Sequence, residues 1–297
     1  MRLSNGTVAC IAAMVMALPA FVAGPAAGTA VVDTACGSTL SATDIAEIVE
    51  LSDTSAISGD DGLARLENAV DRHRRITGIL VEHRDLRGLF AIGLDAVEQT
   101  AVMPLQRDPT AFADREYAHA ISLELLRRFL DNLHAEFTGG VAEPQWEHYF
   151  ALAQDCGASR ARTAMAGYNA HLTVDLSYSV AAVGSRPEDA PDYFRIVAAI
   201  ASVGDVIIDR TKAVYGADLG PLWRFYFVGE GLDQLFGAGV ATEQMLIAAD
   251  LAANIVIFSN GLALQDPALA PAVRAEIAAL WQAADLAFEA LAQINAL

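Results

Sequence analysis

Lysine is nearly missing from this chain. Lys212 is the only one among 19 Lys and Arg, which face 37 Asp and Glu for a formal net charge of −18. So acidic a chain, with no basic stripe to offset it, repels nucleic-acid phosphates and anionic membrane surfaces, and neither is expected as a partner. Cysteine is scarce as well, at Cys10, Cys36 and Cys156. No Cys-x-x-Cys pair occurs, which argues against a thiolate zinc site and against attached haem. There is no Gly-x-Ser-x-Gly elbow, no Gly-x-x-x-x-Gly-Lys loop and no Gly-x-Gly-x-x-Gly turn after a strand. Serine-nucleophile, nucleotide-cradling and dinucleotide chemistry therefore lack their usual footholds. Alternation of strand type is absent too.

The apolar run that does exist is N-terminal. Val8 to Val22 is broken only by Pro19, follows Arg2, and leads to Gly28-Thr29-Ala30, a small-x-small cleavage pattern. It is short for a membrane span of about 20 residues and fits a secretory signal over residues 1–30. An uncleaved anchor is the competing reading. Cys36 has no aliphatic residue three positions before it, so a lipoprotein anchor is not expected. Export to the extracellular space leaves Cys36 and Cys156 as an even pair in an oxidising compartment, where a disulfide is expected. Closing so long a loop stabilises a fold by roughly 4 kcal/mol in the chain-entropy model.

From Ser41 onward the spacing is helical throughout. Ser41 suits an N-cap, with Asp44 and Glu47 in the first turns. Asp60-Asp61-Gly62 opens a helix through Leu66, Val70, Ile76 and Leu80 to about His83. A break at Arg84 to Gly88 precedes a helix to Val102, which Pro104 and Pro109 should close. Asp114 starts a helix to Phe137 that stops at Gly139-Gly140. Pro144 opens a short helix, and Ala158 to Val183 reads as one long one. Gly184 to Pro191 is a loop, Asp192 to Tyr215 is helical, and Leu222 to Phe236 is ambiguous. Glu243 to Leu264 and Pro271 to Leu297 finish the chain; their charged residues rule out membrane spans. The expected fold is a single all-α, bundle-like domain over residues 31–297, its C-terminal helical pair the most loosely attached part.

One stretch stands out: Asn169-Ala170-His171-Leu172-Thr173-Val174-Asp175-Leu176. It places an imidazole and a carboxylate four residues apart on an apolar helix, so both lie on one face. Ala164, Tyr168, Leu172, Asp175 and Ser179 form one stripe, with His171 at its edge and Asn169 turned toward a neighbouring helix. A carboxylate there must pair, bind a metal or do chemistry, because burying it alone is costly. All six histidines (His73, His83, His119, His134, His148 and His171) lie within about a third of the chain. Glu116 precedes His119 by three, as does Asp131 before His134, the spacing of di-iron bundles. The two further glutamates such a site needs are not found. His119 otherwise reads as a core histidine, and the Asp205 and Asp209 pair as a solvated face.

The motif Asn169-Ala170-His171-x-x-x-Asp175-Leu176, with Trp146-Glu147-His148-Tyr149-Phe150 before it, resembles an uncharacterised, mainly actinobacterial family of unknown function. Gly88-Leu89-Phe90-Ala91 and Asp192-Tyr193-Phe194 are similar to family positions, and the resemblance spans about Leu66 to Tyr215. Thr173 and Ser177 depart from the aliphatic and proline residues usual near Asp-Leu. The resemblance implies an all-helical domain with a polar cluster and no known activity.

Three functions stay open. In the first, His171 and Asp175 bind a divalent metal such as zinc, with His119 or His148 completing the shell of a secreted hydrolase whose nucleophile is a bound water. In the second, the pair acts without metal, as acid and base on a small ligand in a pocket lined by Trp223, Phe225, Tyr226 and Phe227. In the third, the pair is a buried structural staple. Nothing in the sequence indicates the substrate or the oligomeric state.

Overall fold

The structure, a computed structural model, describes residues 33–219 and 243–293, and every regular element among them is helical. The segment of residues 1–30 read as a secretory signal, the aromatic segment Leu222 to Phe236 and the last four residues lie outside the described residues. Helix α1 (Ala42–Ser52) starts at Ser41, whose hydroxyl accepts from the Asp44 amide while the Asp44 carboxylate accepts from the Ser41 amide. That reciprocal cap satisfies two otherwise orphaned donors. Asp61 caps α2 (Gly62–Glu82), and Asp114 caps α5 (Arg115–Thr138), which ends on Gly139 at φ 70°.

Between them, α3 (Gly88–Val97) runs into a π-helical turn over Glu98–Val102 and on into α4 (Met103–Arg107). The expected stop at Pro104 does not occur. Met103 N bonds to Glu98 O, and this wider register accommodates a residue with no N–H to donate.

The segment read as one helix from Ala158 to Val183 is α7 (Arg160–Asn169), a π-helical turn (Ala170–Asp175) and α8 (Leu176–Ala182). Helix α6 (Pro144–Gln154) precedes it. The expected helix from Asp192 to Tyr215 is split at Ser202 and Val203 into α9 (Ala190–Ala201) and α10 (Gly204–Tyr215). Val203 leaves the helical region there, at φ −120° and ψ 20°, and the turn lets α10 lie along α3. The chain ends in α11 (Glu243–Leu264) and α12 (Ala270–Gln293).

The α7–α8 run is the central post. Helices α3, α6 and α12 pack on α7; α5, α6 and α12 meet the π turn; α11 lies along α8. The expected one-sided stripe is therefore not found: residues 161–171 are buried all round, while Leu172 is half-buried. Phe90, Phe129, Trp146, Tyr149 and Phe150 form the aromatic centre of the main core. The C-terminal pair is docked more firmly than expected. Phe288 of α12 is buried in that core, and Gly261 of α11 brings its backbone against Val180 of α8.

Helices α3 and α7 approach through two glycines. A Cβ on Gly167 would lie 2.7 Å from the Phe90 Cβ, and one on Gly93 would lie 1.8 Å from the Tyr168 hydroxyl. Gly167→Ala is expected to lower stability by about 1–3 kcal/mol through overpacking. A urea midpoint unchanged from the parent would show that the two helices can separate without cost.

Cys36 and Cys156 form the expected disulfide, with Cα atoms 5.3 Å apart. It ties the N-terminal arm to the end of α6. No helix among the described residues is long and apolar enough to cross a membrane.

Candidate functional site

His171 and Asp175 are both buried, at 5% and 0% exposure. The π turn carries them into the centre of the molecule, where each residue of the motif meets a different helix. Asn169 donates from Nδ2 to Trp281 O of α12, at 2.9 Å, and accepts from Thr173 Oγ1. Its expected contact with a neighbouring helix is present. The His171 ring lies 4.9 Å from the Phe90 ring of α3. Both oxygens of Asp175 are taken by α6: Trp146 Nε1 donates to Oδ2 at 2.9 Å and Gln145 Nε2 to Oδ1 at 3.2 Å.

The expected charged couple is not an ion pair. His171 Nδ1 stands 3.9 Å from Asp175 Oδ2, beyond hydrogen-bonding distance, and has no hydrogen-bond partner. The carboxyl group is drawn toward the two α6 donors instead. Burial, with Glu143 nearby, pushes the Asp175 pKa up to about 8, against the opposing pull of Trp146 and Gln145. Burial, helped by His73, holds the His171 pKa down to about 3. At neutral pH the imidazole is therefore uncharged and the carboxyl largely protonated. Charge removal is the response expected of groups this deeply desolvated.

The two histidines proposed to complete a metal shell are engaged elsewhere. His119 Nε2 lies 3.3 Å from Gln106 O, and His148 Nε2 lies 3.1 Å from Asp285 and 3.2 Å from Arg162 Nη2. Among the described residues no group of three or more His, Cys, Asp or Glu is placed to hold a metal ion. His134 turns to Ser52 and Val49 O, and Asp131 to Thr54, so their spacing on α5 is structural. Asp205 and Asp209 are exposed, as a solvated face requires.

A second buried acid–imidazole pair was not singled out from the sequence. His73 Nδ1 lies 2.7 Å from Glu98 Oε2, and His73 Nε2 lies 3.3 Å from Thr77 Oγ1, all three buried. Glu98 sits on the other π turn, and burial raises its pKa despite His73. The His73 ring packs on Phe129 at 5.6 Å, so the two acid–imidazole pairs share one aromatic core. The signal was available: His73 falls in line with Leu66, Val70, Ile76 and Leu80 on the buried face of α2.

These features define an all-helical, disulfide-linked domain whose polar motif is walled into its core. A family model described as a family of unknown function (DUF5995) matches residues 66–238, more than half of the chain, and the chain belongs to that family. No curated protein and no solved structure matches it.

Proposed function

We propose that the motif is an internal staple of a secreted, non-catalytic helical domain rather than the centre of a metal-dependent hydrolase. The observation that carries this reading is the Asp175 carboxyl, fully buried with both oxygens bonded to α6 side chains. Asn169, at the end of α7, donates to the α12 backbone and His171 packs on α3, so the junction of α7 with the π turn anchors three helices. Two surface clefts among the described residues, at Cys36 to Leu86 with Tyr215 and at the start of α2 beside α5, are lined by no residue of the motif. The disulfide suits an oxidising compartment outside the cell.

The staple has a pH signature. In the unfolded chain the reference pKa values are 3.8 for Asp175 and 6.5 for His171; in the fold they are about 8 and about 3. Between pH 6.5 and 8 the folded carboxyl keeps a proton that the unfolded one has released, so stability falls as pH rises. The slope is about 1.4 kcal/mol per pH unit. Between 3.8 and 6.5 the two groups oppose and cancel. From 3.8 down to about 3 only the imidazole differs, protonated in the unfolded chain and not in the fold, so stability falls as acid is added.

Asp175→Asn removes the first slope. Urea unfolding between pH 6.5 and 8 should be flatter for Asp175→Asn than for the parent by about 1.4 kcal/mol per unit. Glu98, also raised by burial, contributes the same way to both proteins and drops out of the difference. Equal slopes would mean that Asp175 is charged in the fold, and the staple reading would fall.

The metal reading draws on the orphan His171 Nδ1 beside Asp175. It has its own test in elemental analysis of chelator-free protein. One equivalent of zinc, lost in His171→Ala, would replace the staple with a metal centre.

A further inference from the structure

Six large apolar side chains are exposed among the described residues, and five of them lie on the C-terminal hairpin. Ile255 and Val256 are on α11, Leu269 is in the turn, and Leu280 and Leu286 are on α12, with Leu286 at 69% exposure. Single exposed apolar residues need no explanation, but a cluster on one element marks an interaction surface.

The pattern along the two helices agrees. Val273, Ile277 and Phe288 of α12 face the core. On the opposite side, at helical spacing, stand Ala272, Ala275, Ala279, Ala283, Leu286 and Ala290, all exposed. In α11 the segment from Ala253 to Leu264 holds no ionisable residue. A helix that is apolar on its outer side as well as its inner one is expected to be covered on both. Both helices pack inward on the α7–α8 run and against each other, so their outer sides form one layer.

Charge selects the partner. The chain carries a formal net charge of −18, so two copies repel over most of their surface. The outer stripe of α12 carries no charge. Asp285 and Glu289 beside it are turned to Arg162 of α7, at 2.6 and 3.4 Å, and Arg274 and Glu276 offset each other in sign. Two copies can therefore meet on this face with little of that repulsion.

The stripe is also self-complementary. Run antiparallel about a point between Ala279 and Ala283, it sets Ala279 against Ala283 and Ala272 against Ala290. Its one large side chain, Leu286, then falls against Ala275 of the second copy. Small residues in opposition let helix axes approach to about 8 Å. The stripe is about 27 Å long, and two helices side by side are about 20 Å across. Such a face covers roughly 500 Å² on each copy, about 1,000 Å² in total, the low end for a specific interface.

We propose that the outer face of the α11–α12 hairpin is the interface of a weak, reversible homodimer with two-fold symmetry. The inference uses no side chain of the motif, so its failure would leave the staple untouched.

Sedimentation velocity of the protein from about 1 to 500 μM tests it, a range chosen for micromolar association. The weight-average mass should rise from one copy toward two. Leu286→Glu and Ala279→Glu, both at exposed outer positions, should each raise the dissociation constant at least about tenfold with circular dichroism unchanged. Val141→Glu, which charges the sixth exposed apolar side chain on the turn between α5 and α6, should leave the constant as it is. A single-copy mass at every concentration, as when another part of the chain or a different protein takes the face, would overturn the proposal. So would a dimer indifferent to Leu286→Glu, or one weakened equally by Val141→Glu.

Discussion

Replacing both Cys36 and Cys156 by serine is expected to lower stability by about 4–5 kcal/mol while leaving the native helical signal intact. The two cysteines are 120 residues apart, and cross-linking so long a loop removes that much conformational freedom from the unfolded chain. The folded arm does not depend on the bond. Ala35 N donates to Asp85 Oδ2, Leu86 N to Ala35 O, and Ser38 N to His83 O, so three non-covalent ties hold it against the α2–α3 corner. The loss should therefore appear in the denaturation midpoint and not in native circular dichroism. A loss below about 1 kcal/mol would mean that the reduced unfolded chain is already constrained at this point.

The other large effect is expected at the same corner. Arg87→Met should cost about 3–5 kcal/mol, because it strands a buried carboxylate. Arg87 and Asp85 side chains are both 0% exposed and bonded through Nε and Nη2 at 2.9 and 2.7 Å. The guanidinium also reaches Glu136 and stacks 4.2 Å from the Phe137 ring centre, joining α3 to the end of α5. Asp85 in turn holds the Ala35 amide, so its loss would free the arm as well. Asp85→Asn in the Arg87→Met background should recover part of the loss, since it removes the unpaired charge; the double-mutant cycle measures the coupling. An Arg87→Met protein within about 1 kcal/mol of the parent would show that water reaches Asp85. Stabilities of about 5–15 kcal/mol are usual for a domain, so either change takes a large share.

Much of the frame was legible in the residues. Ser41, Asp61 and Asp114 cap helices where their side chains said they would, Gly139 ends α5, and Cys36 finds Cys156. His171 and Asp175 are buried, as expected, though the helix around them has no single inward side. The π turns were not legible. A shift of the backbone bonds by one residue alters the periodicity over only five or six positions, too few to stand out in a mostly apolar helix. Nor could Trp146 be matched to Asp175, or His73 to Glu98. These partners lie 29 and 25 residues apart, and only helix packing selects them. His119 and His148 were plausible ligands by composition alone, yet helix orientation gives them to Gln106 and Asp285.

Helical class, cap positions, the cysteine pair and the acidic surface follow from short-range chemistry, and the chain carries them wherever it goes. The charge state of Asp175 and His171 does not. Desolvation depends on which helices close around a group, so an ordinary acid and an ordinary base became a neutral pair only once α3, α6 and α12 had packed over them.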